Sequence, residues 1–320
     1  MTAITGFIPP TRKPGVLGVH SVDHFSLTVP DLQEAARFYT AFGLDLREEG
    51  NALAIYTAGH THNWGRLVEG PRKRLNYISF GAFADDLPRF AEHLQKIGVT
   101  RLDPPVGFES NGLWFRDPDG TLVEIKVAEK SSPTEKSIVS NPSAGPGVRA
   151  MPIRKVAAVS KPRRLSHILL FSANVPRSMD FYARTVGVRL SDEAGGVVAF
   201  MHGVHGSDHH MIAFAQSDGP GLHHLSWDME STHSVGLGAM AMADKGYARG
   251  WGTGRHVLGS NYFHYVRDPW GSYCEYSSDI DYVPVEMDWE GGHWDAEDGF
   301  YLWGPTPPED FVTNFETANA

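Results

Sequence analysis

Short apolar runs recur along the chain, alternating or continuous, and most are closed off by glycine, proline or aspartate. Val22-Asp-His-Phe-Ser-Leu-Thr-Val29, Leu75-Asn-Tyr-Ile-Ser-Phe80, Leu165-Ser-His-Ile-Leu-Leu170 and Leu222-His-His-Leu-Ser-Trp227 have the length and composition of strands. Residues 32–42 and 176–186 space their apolar positions for one face of a helix, and further helices are predicted over 83–97 and near 235–245. Asp117-Pro-Asp-Gly120 and Asp268-Pro-Trp-Gly271 read as tight turns, because proline fixes φ and glycine permits φ > 0.

The pattern occurs twice. The run at 22–29 resembles the one at 165–172, and each is followed by a Phe-Tyr pair, Phe38-Tyr39 and Phe181-Tyr182. His24 precedes Tyr39 by the same interval as His167 precedes Tyr182. Leu75–Phe80 parallels Leu222–Trp227, and Arg116-Asp-Pro-Asp-Gly-Thr-Leu-Val-Glu124 parallels Arg267-Asp-Pro-Trp-Gly-Ser-Tyr-Cys-Glu275. Matched landmarks in the same order indicate duplication. Each half divides again, giving four βαβββ modules. The chain is thus read as an extension (1–19), a first domain (20–128), a linker (129–162), a second domain (163–287) and a tail (288–320). The linker is rich in Ser, Pro, Lys and Val with weak periodicity. The tail holds too many aromatic residues for a disordered end and is expected to pack back over the second domain.

The second half concentrates chemistry. Eleven of the 16 histidines lie beyond residue 160, and His167, His224 and Glu275 each sit in a strand-like run. Two imidazoles and a carboxylate on rigid strands suit a divalent iron or manganese centre that keeps open coordination positions. A carboxylate between Tyr273-Cys274 and Tyr276 is costly to bury without a cation or donor partner. The matched positions of the first half are His24, Tyr77 and Glu124. With tyrosine in the middle place, that half reads as a copy without its metal, in which His24 and Glu124 are expected to hydrogen-bond one another.

Other histidines surround the triad. Strand alternation lets only one of His209 and His210 face inward. His256 ends a glycine-rich run that could set its side chain over a pocket, and Tyr265 could aim its hydroxyl at a substrate. Taken singly, each has a plainer reading: a surface pair, a solvated loop histidine and a core aromatic. His202 and His205 have H-x-x-H spacing but lie in a glycine-broken stretch without cysteines, and are expected at the surface. His264 is expected to point opposite to Tyr265, or toward a substrate if the backbone bulges.

Composition narrows the partners. Apolar residues at 41% and charged residues at 21% are ordinary for a globular protein. A net charge of −10 without a basic cluster argues against nucleic acid or an anionic membrane as partner. Cys274 is the only cysteine, so no intrachain disulfide forms and a cytoplasmic location is expected. The first residues lack a secretory profile, and no apolar stretch approaches the roughly 20 residues that span a bilayer.

Across roughly residues 20 to 290 the pattern resembles the type I extradiol ring-cleavage dioxygenases of the vicinal oxygen chelate superfamily. The resemblance implies an α+β fold in which each pair of modules forms an open, curved, barrel-like mixed sheet. It also implies a homo-oligomer, and Fe(II), less often Mn(II), held by His167, His224 and Glu275. The family's acid/base histidine falls on His210, its substrate-contacting histidine on His256 and its tyrosine near the catechol hydroxyl on Tyr265. One departure is His264, where an aliphatic residue is usual, and which could meet an additional polar group of the substrate. Another is Gly259, where some relatives carry aspartate. The expected reaction joins an aromatic diol and dioxygen. Its rivals are a glyoxalase-like isomerase, a hydroxyphenylpyruvate-type dioxygenase or a non-catalytic small-molecule binder on the same scaffold.

Overall fold

The computed structural model describes residues 10–317; residues 1–9, where the start of the chain was read for a secretory profile, and residues 318–320 lie outside it. The first half runs β1 (Ser21–Val29), α1 (Leu32–Ala41), β2 (Asp45–Glu49), β3 (Ala52–Tyr56), β4 (Gly65–Glu69), β5 (Arg74–Ala82), α2 (Leu87–Lys96), β6 (Leu113–Arg116) and β7 (Leu122–Val127). The second begins β8 (Arg164–Ser172), α3 (Val175–Thr185), β9 (Arg189–Ala194), β10 (Val198–His202), β11 (Ser207–Asp208), β12 (Ile212–Gln216) and β13 (Gly221–Asp228). It continues α4 (Thr232–Asp244), β14 (Gly250–Arg255), β15 (Tyr262–Arg267), β16 (Tyr273–Ser278), β17 (Tyr282–Val283), β18 (Gly292–Trp294) and α5 (Ala296–Gly299).

The expected α+β fold is what forms. One sheet has the order β2-β3-β4-β1-β5-β7-β6, and the other contains the matching order β9-β10-β12-β8-β13-β16-β15, extended by β14 at one edge and β18 at the other. In both, an antiparallel central pair (β1·β5, β8·β13) is flanked by parallel neighbours. The duplication read from sequence is therefore a duplication of topology. The second module departs from βαβββ: the strand between α2 and β6 shrinks to a single bridge, Leu102 to Trp114.

Local chemistry explains the helix starts. Asp31 accepts from the N–H groups of Gln33 and Glu34, Asn174 from Arg177 and Ser231 from Ser234, each satisfying a backbone donor that a helix end leaves open. α4 starts at Thr232, ahead of the expected Val235, because Ser231 caps it. α2 starts at Leu87, later than Phe83, with Pro88 in its first turn, where a missing N–H costs nothing.

The halves share one core. Phe42 of the first stacks on Tyr276 of the second at 3.9 Å, and Tyr276 donates to the Phe42 carbonyl at 2.8 Å. Conversely, Tyr182 donates to Asp117 at 3.1 Å. Each half thus inserts an aromatic residue at or near its first helix into the other. Residues 288–317 touch both halves: β18 pairs with β9 of the second, and Glu316 forms a buried ion pair with Lys73 of the first at 2.5 Å.

The surface reading of His202 and His205 is corrected. Both are buried; His202 bonds Ser191 Oγ at 2.7 Å, and His205 sits between the Lys13 N–H and the Gly18 carbonyl. The early segment that covers His205 is remote in sequence, so the local pattern carries no trace of it. Among the described residues no helix is long and apolar enough to cross a membrane.

Candidate metal centre

Three neighbouring strands carry the triad. Ser226 of β13 sits opposite His167 of β8 on one side and Glu275 of β16 on the other. His224, two residues before Ser226, shares its face. The resulting ligand atoms of His167, His224 and Glu275 all lie within 4.8 Å of one another. Glu275 Oε2 is 3.2 Å from His167 Nε2 and 3.6 Å from His224 Nε2, and all three residues are buried.

The donor set fits a divalent cation. His224 Nε2 and Glu275 Oε2 are buried without a hydrogen-bond partner. Such groups cost stability unless something satisfies them, and a cation between them does so. Their neighbours hold the remaining atoms: Asn261 Nδ2 donates to Glu275 Oε1 at 3.1 Å, and His167 Nδ1 meets Ser166 Oγ at 3.3 Å. Burial pushes the Glu275 carboxyl up, but the close approach of His167, with the charge of His256, more than offsets this and leaves it below its usual range. Burial, with neighbouring histidines, holds His224 well below the usual imidazole value, so its ring is neutral and suited to coordinate.

Three further expected residues converge here. The His210 ring lies 4.0 Å from that of His167, and burial drives its pKa well down. His256 Nε2 accepts from the Tyr265 hydroxyl at 2.9 Å and lies 3.8 Å from Glu275 Oε1. Tyr265 pairs with Glu275 across β15 and β16, and burial raises its phenol pKa. The surface reading of His209 and His210 gives way to burial, and His256, only partly exposed, is held by the Phe300 carbonyl and the Tyr265 hydroxyl and is not a solvated loop residue.

His264 does not join them. Its partner in register is Tyr276, on the face away from Glu275, and β15 does not bulge against β16. Its buried Nδ1 has no partner, and burial lowers its pKa to about 4. The structure also adds residues that sequence reasoning passed over: Asn261 against Glu275, Asp192 against His209, and His223 against His224. The doublets His209-His210 and His223-His224 were the available signal for the last two.

A buried two-histidine, one-carboxylate site on a duplicated β-sheet scaffold defines a metal-dependent member of a known class. A family model described as the Glyoxalase/Bleomycin resistance protein/Dioxygenase superfamily matches residues 21–125 and 164–276, the two halves described above, and the chain belongs to that superfamily. It is 48% identical over 298 residues to metapyrocatechase 2 of Cupriavidus necator, a stretch that covers 93% of each protein. Among solved structures, the Mn(II)-bound glyoxalase from Novosphingobium aromaticivorans is similar at 25% identity and TM-score 0.73, covering 95% of this chain and 99% of that one. An extradiol ring-cleaving dioxygenase from B. fuscum shares the fold with TM-score 0.74 at 21% identity, over 95% and 85% of the two chains.

Proposed function

We propose that this chain carries out extradiol (meta) cleavage of a catechol-type aromatic diol, inserting both atoms of dioxygen. The proposed metal is Fe(II), with Mn(II) as the alternative, held by His167, His224 and Glu275. One observation carries the reading: two unpartnered, buried ligand atoms face each other beside His210 and the His256–Tyr265 pair. The similarity to a metapyrocatechase supports it over most of the chain.

When bound, the ion supplies a Lewis acid for the two ring oxygens and a path for electrons from ring to dioxygen. The protein's part is placement and proton handling. His256 and Tyr265, tied together at 2.9 Å, orient the ring oxygens, and such positioning is worth large factors in rate. His210, neutral and buried, is suited to take a proton from the diol and return it as the ring opens. The buried rings of Trp251, Phe263 and Tyr265 pack against His256 and hold it in place.

Anaerobic loading with Fe(II) or Mn(II), followed by oxygen and a panel of substituted catechols, tests the proposal. The expected result is uptake of one dioxygen per ring and the absorbance of a ring-opened product. Metal content measured on the same samples assigns the ion. Failure with every diol in a metal-replete protein overturns the reading. A second reading, a glyoxalase-like isomerase, draws on the similarity to the Mn(II)-bound glyoxalase and calls for turnover without oxygen uptake.

A further inference from the structure

We propose that the C-terminal segment 292–311 fixes which ring nitrogen carries the proton in His210, His224 and His256, with Asp192, His209 and His223 as positioning residues. Its catalytic consequence rests on the ring-cleavage reading; the placement of protons does not. Three chains of hydrogen bonds lead from this segment to the centre.

The first starts at β18. Trp294 Nε1–H and the Gly292 N–H both donate to Asp192 Oδ1, at 2.7 and 3.1 Å. Asp192 Oδ2 lies 2.7 Å from His209 Nε2. An ionised carboxylate only accepts, so His209 Nε2 carries a proton. With a single proton on its ring, His209 presents Nδ1 as a lone pair, and His210 Nδ1 lies 3.0 Å away. His210 must then donate from Nδ1, which leaves its lone pair at Nε2.

The second chain repeats this logic. His223 Nε2 donates to the Phe311 carbonyl at 2.9 Å, and His223 Nδ1 accepts from His224 Nδ1 at 2.7 Å. His224 Nε2 is left with a lone pair, and that is the atom without a partner beside Glu275. In the third, His256 Nδ1 donates to the Phe300 carbonyl at 2.9 Å, so Nε2 is the nitrogen that accepts from Tyr265. In all three chains the far end is an oxygen acceptor belonging to the segment or held by it. A histidine's second nitrogen orients and tunes the first in this way at metal sites generally.

The test uses full-length protein with 15N-labelled histidine. In the metal-free state, long-range 1H–15N spectra are expected to show His210 with its proton at Nδ1. His209→Phe removes the acceptor and should shift that pattern, whereas His209→Asn, whose side-chain oxygen can accept near the place of Nδ1, should keep it. In metal-loaded protein, His209→Phe should lower kcat by about tenfold or more, with KM and metal content nearly unchanged and partial rescue by His209→Asn. Should His209→Phe fail to fold, Trp294→Phe weakens the same chain from its outer end and should lower kcat by a smaller factor. A proton at His210 Nε2 in the parent, or unchanged kcat in both His209→Phe and Trp294→Phe, overturns the proposal. If the parent protein cleaves no diol yet shows the expected proton placement, the ring-cleavage reading fails and the positioning inference stands.

Discussion

The two halves place the same backbone under two side-chain sets and obtain opposite results. Ser79 is opposite His24 and Glu124 just as Ser226 is opposite His167 and Glu275, so Tyr77 occupies the place of His224. In the first half His24, Tyr77 and Glu124 each find partners. His24 Nδ1 donates to Asp23 at 2.8 Å and Nε2 accepts from the Tyr77 hydroxyl at 3.0 Å. Both Glu124 oxygens accept serine hydroxyls, from Ser79 and Ser110. Burial, helped by the Glu124 charge, pushes the Tyr77 phenol up, which keeps that proton in place as a donor. The second half leaves two facing lone-pair atoms unpaired. A closed polar network stabilises a fold, whereas an open one is held in readiness for a ligand. The expected bond between His24 and Glu124 does not form, because Tyr77 and the two serines take both.

The sharpest way to break this contrast is to give the second half the first half's residue. His224→Tyr should cost at least about 100-fold in metal affinity and abolish oxygen uptake, since it removes a ligand and not merely a neighbour of one. Metal analysis after dialysis, with a melting curve of the metal-free protein to confirm folding, checks this. The reverse change, Tyr77→His, restores a third ligand beside His24 and Glu124. Equilibrium dialysis with Mn(II) should reveal a second, weaker site, weaker because Ser79 and Ser110 already hold the carboxylate.

A third experiment concerns the matched turns. Asp117 and Asp268 each accept backbone N–H groups of their turn, and burial raises both carboxyl pKa values, Asp117 to about 6. The folded chain holds the Asp117 proton more tightly than the unfolded chain, so ionising it costs stability. That cost is absent below about pH 4, grows through the interval and is complete above about pH 6. Asp117→Asn should therefore gain on the order of 1–3 kcal/mol relative to the parent between pH 4 and pH 7, read from melting temperature against pH. The smallest effect is expected at His264. Because it faces away from Glu275, His264→Leu should leave relative rates across a catechol panel within about twofold. Removing its unpartnered buried nitrogen should raise stability by about 1 kcal/mol.

Much of the site was legible because strands are locally determined. His167, His224 and Glu275 stand in runs whose composition announces a strand, and period two fixes which face each residue shares with its neighbours. Duplication then supplied the comparison that separated Tyr77 from His224. Legibility stopped at contacts made by distant chain. Burial of His205 depends on the segment around Lys13 and Gly18, and Asp192 acquires its role only when β18 arrives beside β9. His264, a departure from the family pattern, pairs in register with Tyr276 and not with Glu275, so it points opposite to Tyr265 as strand alternation predicts.

The sequence by itself determined the repeated strand-helix order, the tight turns and the identity of the three ligand-type residues, because each follows from local periodicity and side-chain chemistry. Only the tertiary structure decided which nitrogens remain unpaired, which carbonyls of the tail reach His223 and His256, and how the first half closed its own site. Those outcomes depend on hydrogen bonds a few ångströms long between residues up to about a hundred positions apart in the chain, and no local pattern encodes where such partners meet.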